Sequence, residues 1–120
     1  MNLRSFKSGD ILLASDRAYT KGLHPIVYLT GYSDESFIGA MLTHHSDTTR
    51  NLKMDASYFV NKIGNESTYL VLGKFIKPEE WGPFKKVNVL TTEGLQFVIE
   101  ILEGQSEETF ANYFRRHSSK

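Results

Sequence analysis

Two long apolar runs, His24 to Gly31 and Ser36 to His44, flank the polar stretch Tyr32-Ser33-Asp34-Glu35, which has the composition of a turn. Both runs are apolar at successive positions rather than alternate ones, which predicts central strands covered on both faces. A hairpin follows from this order. With a two-residue loop, Ser33-Asp34, His24 falls opposite Thr43; with a three-residue loop, Ser33-Asp34-Glu35, it falls opposite His44. Paired residues share a face with Cβ atoms about 4.5–5.5 Å apart, so either register gathers polar and titratable groups at one end of the hairpin. Pro25 cannot donate to a ladder and suits the opening of a strand.

Upstream, Ser8-Gly9-Asp10 marks a turn, and Ile11 to Ala14 reads as the first core strand. Ser15 to Leu23 is polar with a break at Gly22, which predicts a surface loop; it carries Arg17 and Lys21 directly towards His24. From Ser46 to Thr68 no clean period holds, and Leu52 to Val60 fits either a short strand or a helical turn. Tyr69 to Ile76 reads as one strand, with Gly73 as a bulge or tight bend. Lys77 to Pro83 breaks the pattern, with room for a single 3₁₀ turn, and Lys85 to Leu90 forms a short last strand.

The pattern then changes period. Thr91 or Thr92 suits an N-cap, Glu93 suits the first turn, and Leu95, Val98, Ile99 and Leu102 recur at helical spacing. Gly104 is well placed as the stop. A second helix is expected from Ser106, with Glu107 and Glu108 in its first turn, Phe110, Tyr113 and Phe114 as its apolar stripe and Arg115-Arg116-His117 in its last turn. Strands first and helices last predict a mainly β fold: a small, strongly bent antiparallel sheet or barrel closed by C-terminal helices. A length of 120 residues predicts one domain over 1–120, with the barrel in about 8–90 and the helices in about 91–117.

Composition narrows the function. Lys and Arg number 14 against 14 for Asp and Glu, and a chain of zero formal net charge is a poor match for a protein that grips a long DNA duplex. The chain has no cysteine, which excludes a disulfide framework, thiolate zinc sites and a cysteine nucleophile. No apolar run approaches the roughly 20 residues a membrane span needs, and Met1 to Lys7 shows no apolar signal core, so the cytoplasm is the expected compartment.

The segments Gly9-Asp10-Ile11-Leu12-Leu13, His24-Pro25-Ile26-Val27-Tyr28-Leu29 and Ile38-Gly39-Ala40-Met41-Leu42-Thr43, with a late strand from Tyr69 to Ile76 and a helix opening near Leu90-Thr91, resemble the PemK/MazF-like toxins of bacterial toxin–antitoxin systems. The resemblance spans about residues 8–103. It implies an SH3-like barrel, a homodimer, cleavage of single-stranded RNA without a metal or other cofactor, and a disordered antitoxin peptide that occupies the RNA groove. The family has an arginine directly before the proline of the second strand, where this chain has His24. It has a threonine or serine at the end of the third strand, where this chain keeps Thr43 and continues with His44.

Metal-free RNA cleavage needs a base for the 2′-hydroxyl proton, an acid for the leaving 5′-oxygen and donors for the charge at phosphorus. His24 and His44 are the candidate acid–base pair and Thr43 the candidate donor to phosphate. Arg17, Lys21 or Arg50 supplies the positive charge that the arginine-to-histidine change removes. A zinc site on His24, His44 and His45 matches no standard spacing, and no metal is expected. The competing expectation is a non-catalytic barrel whose groove accepts an extended peptide or a single-stranded nucleic acid.

Overall fold

A computed structural model describes residues 6–14, 24–33, 36–44, 51–61, 67–78 and 84–108. Within them the chain is mainly β, with eight strands and one α-helix. The strands are β1 (Asp10–Ala14), β2 (His24–Ser33), β3 (Ser36–Thr43), β4 (Asn51–Met54), β5 (Thr68–Val71), β6 (Lys74–Pro78), β7 (Lys85–Val89) and β8 (Glu107–Glu108). The helix, α1, is Thr92–Leu102, and a 3₁₀ turn, Ala56–Tyr58, follows β4. The main path runs β4-β5-β3-β2-β1-β7, and β6 pairs with β3 and β8. Every ladder is antiparallel except β6 with β8.

The two apolar runs are central strands, as their two-sided pattern predicts. In β1, Leu12 and Ala14 enter one core cluster and Ile11 the other; in β2, Ile26 and Tyr28 oppose Val27 in the same way. The first cluster is aromatic: Tyr28 stacks on Phe37 at 4.8 Å, and Phe84 meets Phe37 edge-on at 5.2 Å. The second cluster takes Met54, Phe59 and Leu70 together with Val98 and Leu102 of α1. The sheet thus has an apolar layer on each face, and the helix covers one of them.

The hairpin register differs from both loop expectations at the turn and agrees with one of them at the far end. The innermost pair is Ser33↔Ser36. Two irregularities, between Tyr28 and Thr30 and between Gly31 and Ser33, each add a residue on β2. By Ile26↔Met41 the register is the one that, carried two residues further, sets His24 opposite Thr43 rather than His44. Sequence periodicity does not reveal bulges of this kind, because the strand is apolar on both faces and tolerates the slip.

Three further expectations change. Tyr69 to Ile76 is two strands, broken where the Gly73 N–H donates to the Val71 carbonyl at 2.9 Å. Leu52 to Val60 is both a strand and a helical turn in succession, β4 and then the 3₁₀ turn. Glu107 and Glu108, expected in the first turn of a second helix, instead form β8 parallel to β6, in the register Lys74↔Glu107. The long-range ladder and the opposite charges at that pair replace the local helix signal. The rest of the expected second helix lies outside the described residues. Among the described residues the sheet is not closed into a barrel, although an antiparallel bridge, Phe59↔Leu90, ties the end of the 3₁₀ turn to the end of β7.

Helix α1 begins as predicted. Thr91 is the N-cap, its Oγ1 accepting the Gly94 N–H at 3.1 Å, and Glu93 lies in the first turn. Gly104 follows the helix at φ +86°, a conformation that favours glycine. Leu95, Val98 and Leu102 face the sheet, but Ile99 is 48% exposed; Phe97 and Ile101 pack instead. Among the described residues no helix is long and apolar enough to cross a membrane.

The 3₁₀ turn is capped by Asp55, whose Oδ1 accepts the Ser57 N–H at 2.8 Å. That backbone bond, then a bond from the Ser57 side chain, hold the Asp55 carboxyl below its ordinary 3.8, with Lys53 adding a smaller pull. A carboxyl lowered on folding stabilises the fold above its unfolded value. That contribution disappears as pH falls through the lower folded value. Asp55→Asn is therefore expected to be less stable than wild type at neutral pH and to match it only in acid below the lowered folded value, itself under 3.8. Denaturant unfolding at the two pH values measures the difference, and a gap that persists in acid contradicts the assignment.

Candidate functional site

Between the ends of β3, β5 and β7 lies an open cleft of about 380 Å³, within the range of about 300–1,000 Å³ usual for small-molecule sites. Ile11, Leu13, Leu42 and Phe59 give it an apolar lining, with Pro25 and Val87 beside them. Its polar groups are Thr43, His44, Asn61, Thr68 and Asn88. Among the described residues that line it, none is Asp, Glu, Lys or Arg.

Thr43, Thr68 and Asn88 lie in strands, and His44 and Asn61 are held by hydrogen bonds. The β3–β5 pairs Leu42↔Leu70 and Thr43↔Tyr69 carry β3 to its last residue, and His44 follows directly. The His44 Nδ1 lies 3.0 Å from the Ser67 carbonyl oxygen, just before β5. A carbonyl oxygen only accepts, so Nδ1 bears the proton, and in the neutral ring the lone pair is on Nε2. Thr43 is half-buried and His44 is exposed. The arrangement gives one largely apolar cleft both a hydroxyl and a ring nitrogen with a lone pair.

The other wall is built on Asn88. Its carboxamide, 9% exposed as a residue, accepts the Asn61 N–H and donates to the Asn61 carbonyl, both at 3.1 Å. Its Oδ1 also accepts the Val89 N–H at 2.8 Å. One buried side chain therefore satisfies both backbone groups of a residue 27 positions away, which fixes Asn61 at the cleft.

The Gly9-Asp10 turn secures the base of this region. Gly9 donates to the Tyr28 carbonyl at 2.8 Å and accepts from the Leu90 N–H at 2.9 Å. The buried Asp10 accepts the Lys7 N–H at 2.9 Å and faces Lys86 Nζ at 3.3 Å. The segment that carries the family resemblance thus has a structural task, stitching β2 to the end of β7.

Of the residues expected to act, Thr43 and His44 line the cleft. His24 opens β2 opposite Ala14, next to the cleft residue Pro25; its side chain lies outside the described residues. Arg17, Lys21 and Arg50 also lie outside them, as does His45. Among the described residues no group of three or more His, Asp or Glu side chains converges as a metal site. Sequence reasoning missed Asn61, Thr68 and Asn88. Asn88 left a trace, because asparagine is depleted in strands and here stands inside Lys85 to Leu90. Asn61 and Thr68 left none. The chain matches no protein-family model, no curated protein and no solved structure at a significant level.

Proposed function

We propose that this chain is a PemK/MazF-like toxin that cleaves single-stranded RNA without a metal. The observation that carries the reading is that Thr43 and a Nδ1-anchored His44 line the same open, largely apolar cleft. The Phe59↔Leu90 bridge and the division of one edge of β3 between β5 and β6 support the SH3-like barrel of that family.

In this reading His44 Nε2 takes the proton of the 2′-hydroxyl. The 2′-oxygen bonds to phosphorus as the bond from phosphorus to the 5′-oxygen breaks. His24, two residues beyond the last β2–β3 pair in a register that points to Thr43, returns a proton to the leaving 5′-oxygen. The products are a 2′,3′-cyclic phosphate and a 5′-hydroxyl. The Thr43 hydroxyl donates to the phosphate, and Arg17, Lys21 or Arg50 balances its charge. A homodimer, and a disordered antitoxin peptide that competes for the cleft, belong to the same reading.

The test is cleavage of a mixed-sequence RNA in the presence of EDTA, with the new ends mapped chemically. Wild type is expected to leave cyclic phosphate and 5′-hydroxyl ends, and His24→Ala to be slower by about tenfold or more. No cleavage by wild type overturns the proposal. RNA binding without scission, under the same conditions, makes the chain the non-catalytic barrel instead.

A further inference from the structure

We infer that Asn61 reads the Watson–Crick edge of one nucleotide of the strand held in the cleft. The inference rests on the RNA reading above and names the group that sets its sequence preference. Three observations converge on this residue. Its backbone is held at both polar groups by the buried Asn88 carboxamide, so the residue is rigidly mounted. Its own carboxamide is exposed and has no hydrogen-bond partner among the described residues, although it lines the same cleft as Thr43 and His44. The rest of the cleft's lining is mostly apolar, with Val87 44% exposed, a surface suited to the flat face of a base.

Asn88 explains why this is more than a surface asparagine. A residue that only needed to be soluble would not require a buried strand amide to satisfy both of its backbone groups. Fixing the backbone removes conformational freedom before binding, so the Asn61 amide meets its ligand at a lower ordering cost. Single-stranded RNA is read by this kind of contact, with a base splayed on an apolar surface and its edge hydrogen-bonded.

The chemistry makes the inference sharp. A carboxamide presents one acceptor beside one donor; adenine and cytosine offer the complementary pair in one order along the Watson–Crick edge and guanine and uracil in the reverse order, so an amide held in one orientation selects between the two classes. A carboxylate presents two acceptors, and only guanine, through N1–H and N2–H₂, offers two adjacent donors. Asn61→Asp therefore changes which base is chosen, where a structural residue would change only how much protein folds.

The experiment is cleavage of a randomised RNA library by wild type, Asn61→Ala and Asn61→Asp, with the cut ends sequenced. Wild type is expected to show a preference at one position near the cut. Asn61→Ala flattens that position, and Asn61→Asp enriches guanine there by about tenfold, as expected for gain of a bidentate base contact. Identical profiles in all three proteins overturn the inference, even if the variants are slower. If wild type cuts no RNA, the cleavage reading fails on its own, and base reading is decided by binding of the pentamers UUUUU and UUGUU. A guanine preference that rises about tenfold in Asn61→Asp supports it. An unchanged ratio, or no binding by either protein, overturns it.

Discussion

Replacing His44 with alanine is expected to slow RNA cleavage by about 10²–10⁴-fold, the usual contribution of a positioned general base. The reason lies in the ring's anchorage. The Ser67 carbonyl holds Nδ1 as the protonated nitrogen at 3.0 Å, which leaves Nε2 as the basic atom of the neutral ring. Alanine removes the base and the anchor together, and loss of the anchor costs about 0.5–1.5 kcal/mol of stability. Asn is the control that separates the two. Its side-chain amide can still donate to Ser67 from near the position of Nδ1, but it offers no basic nitrogen. His44→Asn is expected to be as slow as His44→Ala and as stable as wild type. Full activity in His44→Asn, measured on folded protein, removes His44 from the mechanism.

Adding one methyl group at Gly94 is expected to destabilise the protein by about 1–3 kcal/mol, the range for overpacking a filled site. In an isolated helix the same change would stabilise by about 1 kcal/mol, because alanine is the better helix former. Packing reverses the sign. A Cβ at Gly94 would lie 2.5 Å from the Tyr58 carbonyl oxygen and 2.8 Å from the Tyr58 Cβ. That carbonyl already accepts the Thr91 N–H at 2.8 Å and the Thr91 Oγ1 hydroxyl at 3.3 Å, and the Tyr58 ring packs on Phe97 at 4.9 Å. The clash therefore displaces the cap of α1 and the 3₁₀ turn together.

Tyr58 is three residues from Asn61, so the disturbance reaches the cleft wall. Gly94→Ala is expected to lower both the unfolding midpoint and the sequence selectivity of cleavage. Gly104→Ala is the comparison: no described residue lies within 4 Å of a Cβ added there, and the φ of +86° carries a penalty of about 1–2 kcal/mol. It is expected to lose stability without touching selectivity. Denaturant unfolding of the two variants checks the contrast, and a Gly94→Ala protein as stable as wild type contradicts the close approach.

Much of this fold is written in short stretches of sequence. Thr91 with Glu93, the Leu95–Val98–Leu102 spacing and Gly104 define α1, since caps and helical spacing involve residues within about four positions of each other. The two-sided apolar runs make β2 and β3 central strands, and Gly73 marks the break between β5 and β6. Thr43 and His44 were legible as candidates because the hairpin pattern sets the end of β3 opposite the start of β2, where polar groups gather.

Other features have no local cause. The two bulges of β2 decide which residue faces His24's position, and the apolar pattern reads the same with or without them. Glu107 and Glu108 carry a sound helix-start signal that their pairing with Lys74 and Phe75 overrides. The Asn61–Asn88 clamp joins residues 27 apart, and the Gly94–Tyr58 approach joins residues 36 apart. Local chemistry thus chose the strands, the helix and its caps, since those depend on neighbours along the chain. Register, cleft and clamp came only with packing, because hydrogen bonds and steric limits between distant segments exist only once the sheet has formed.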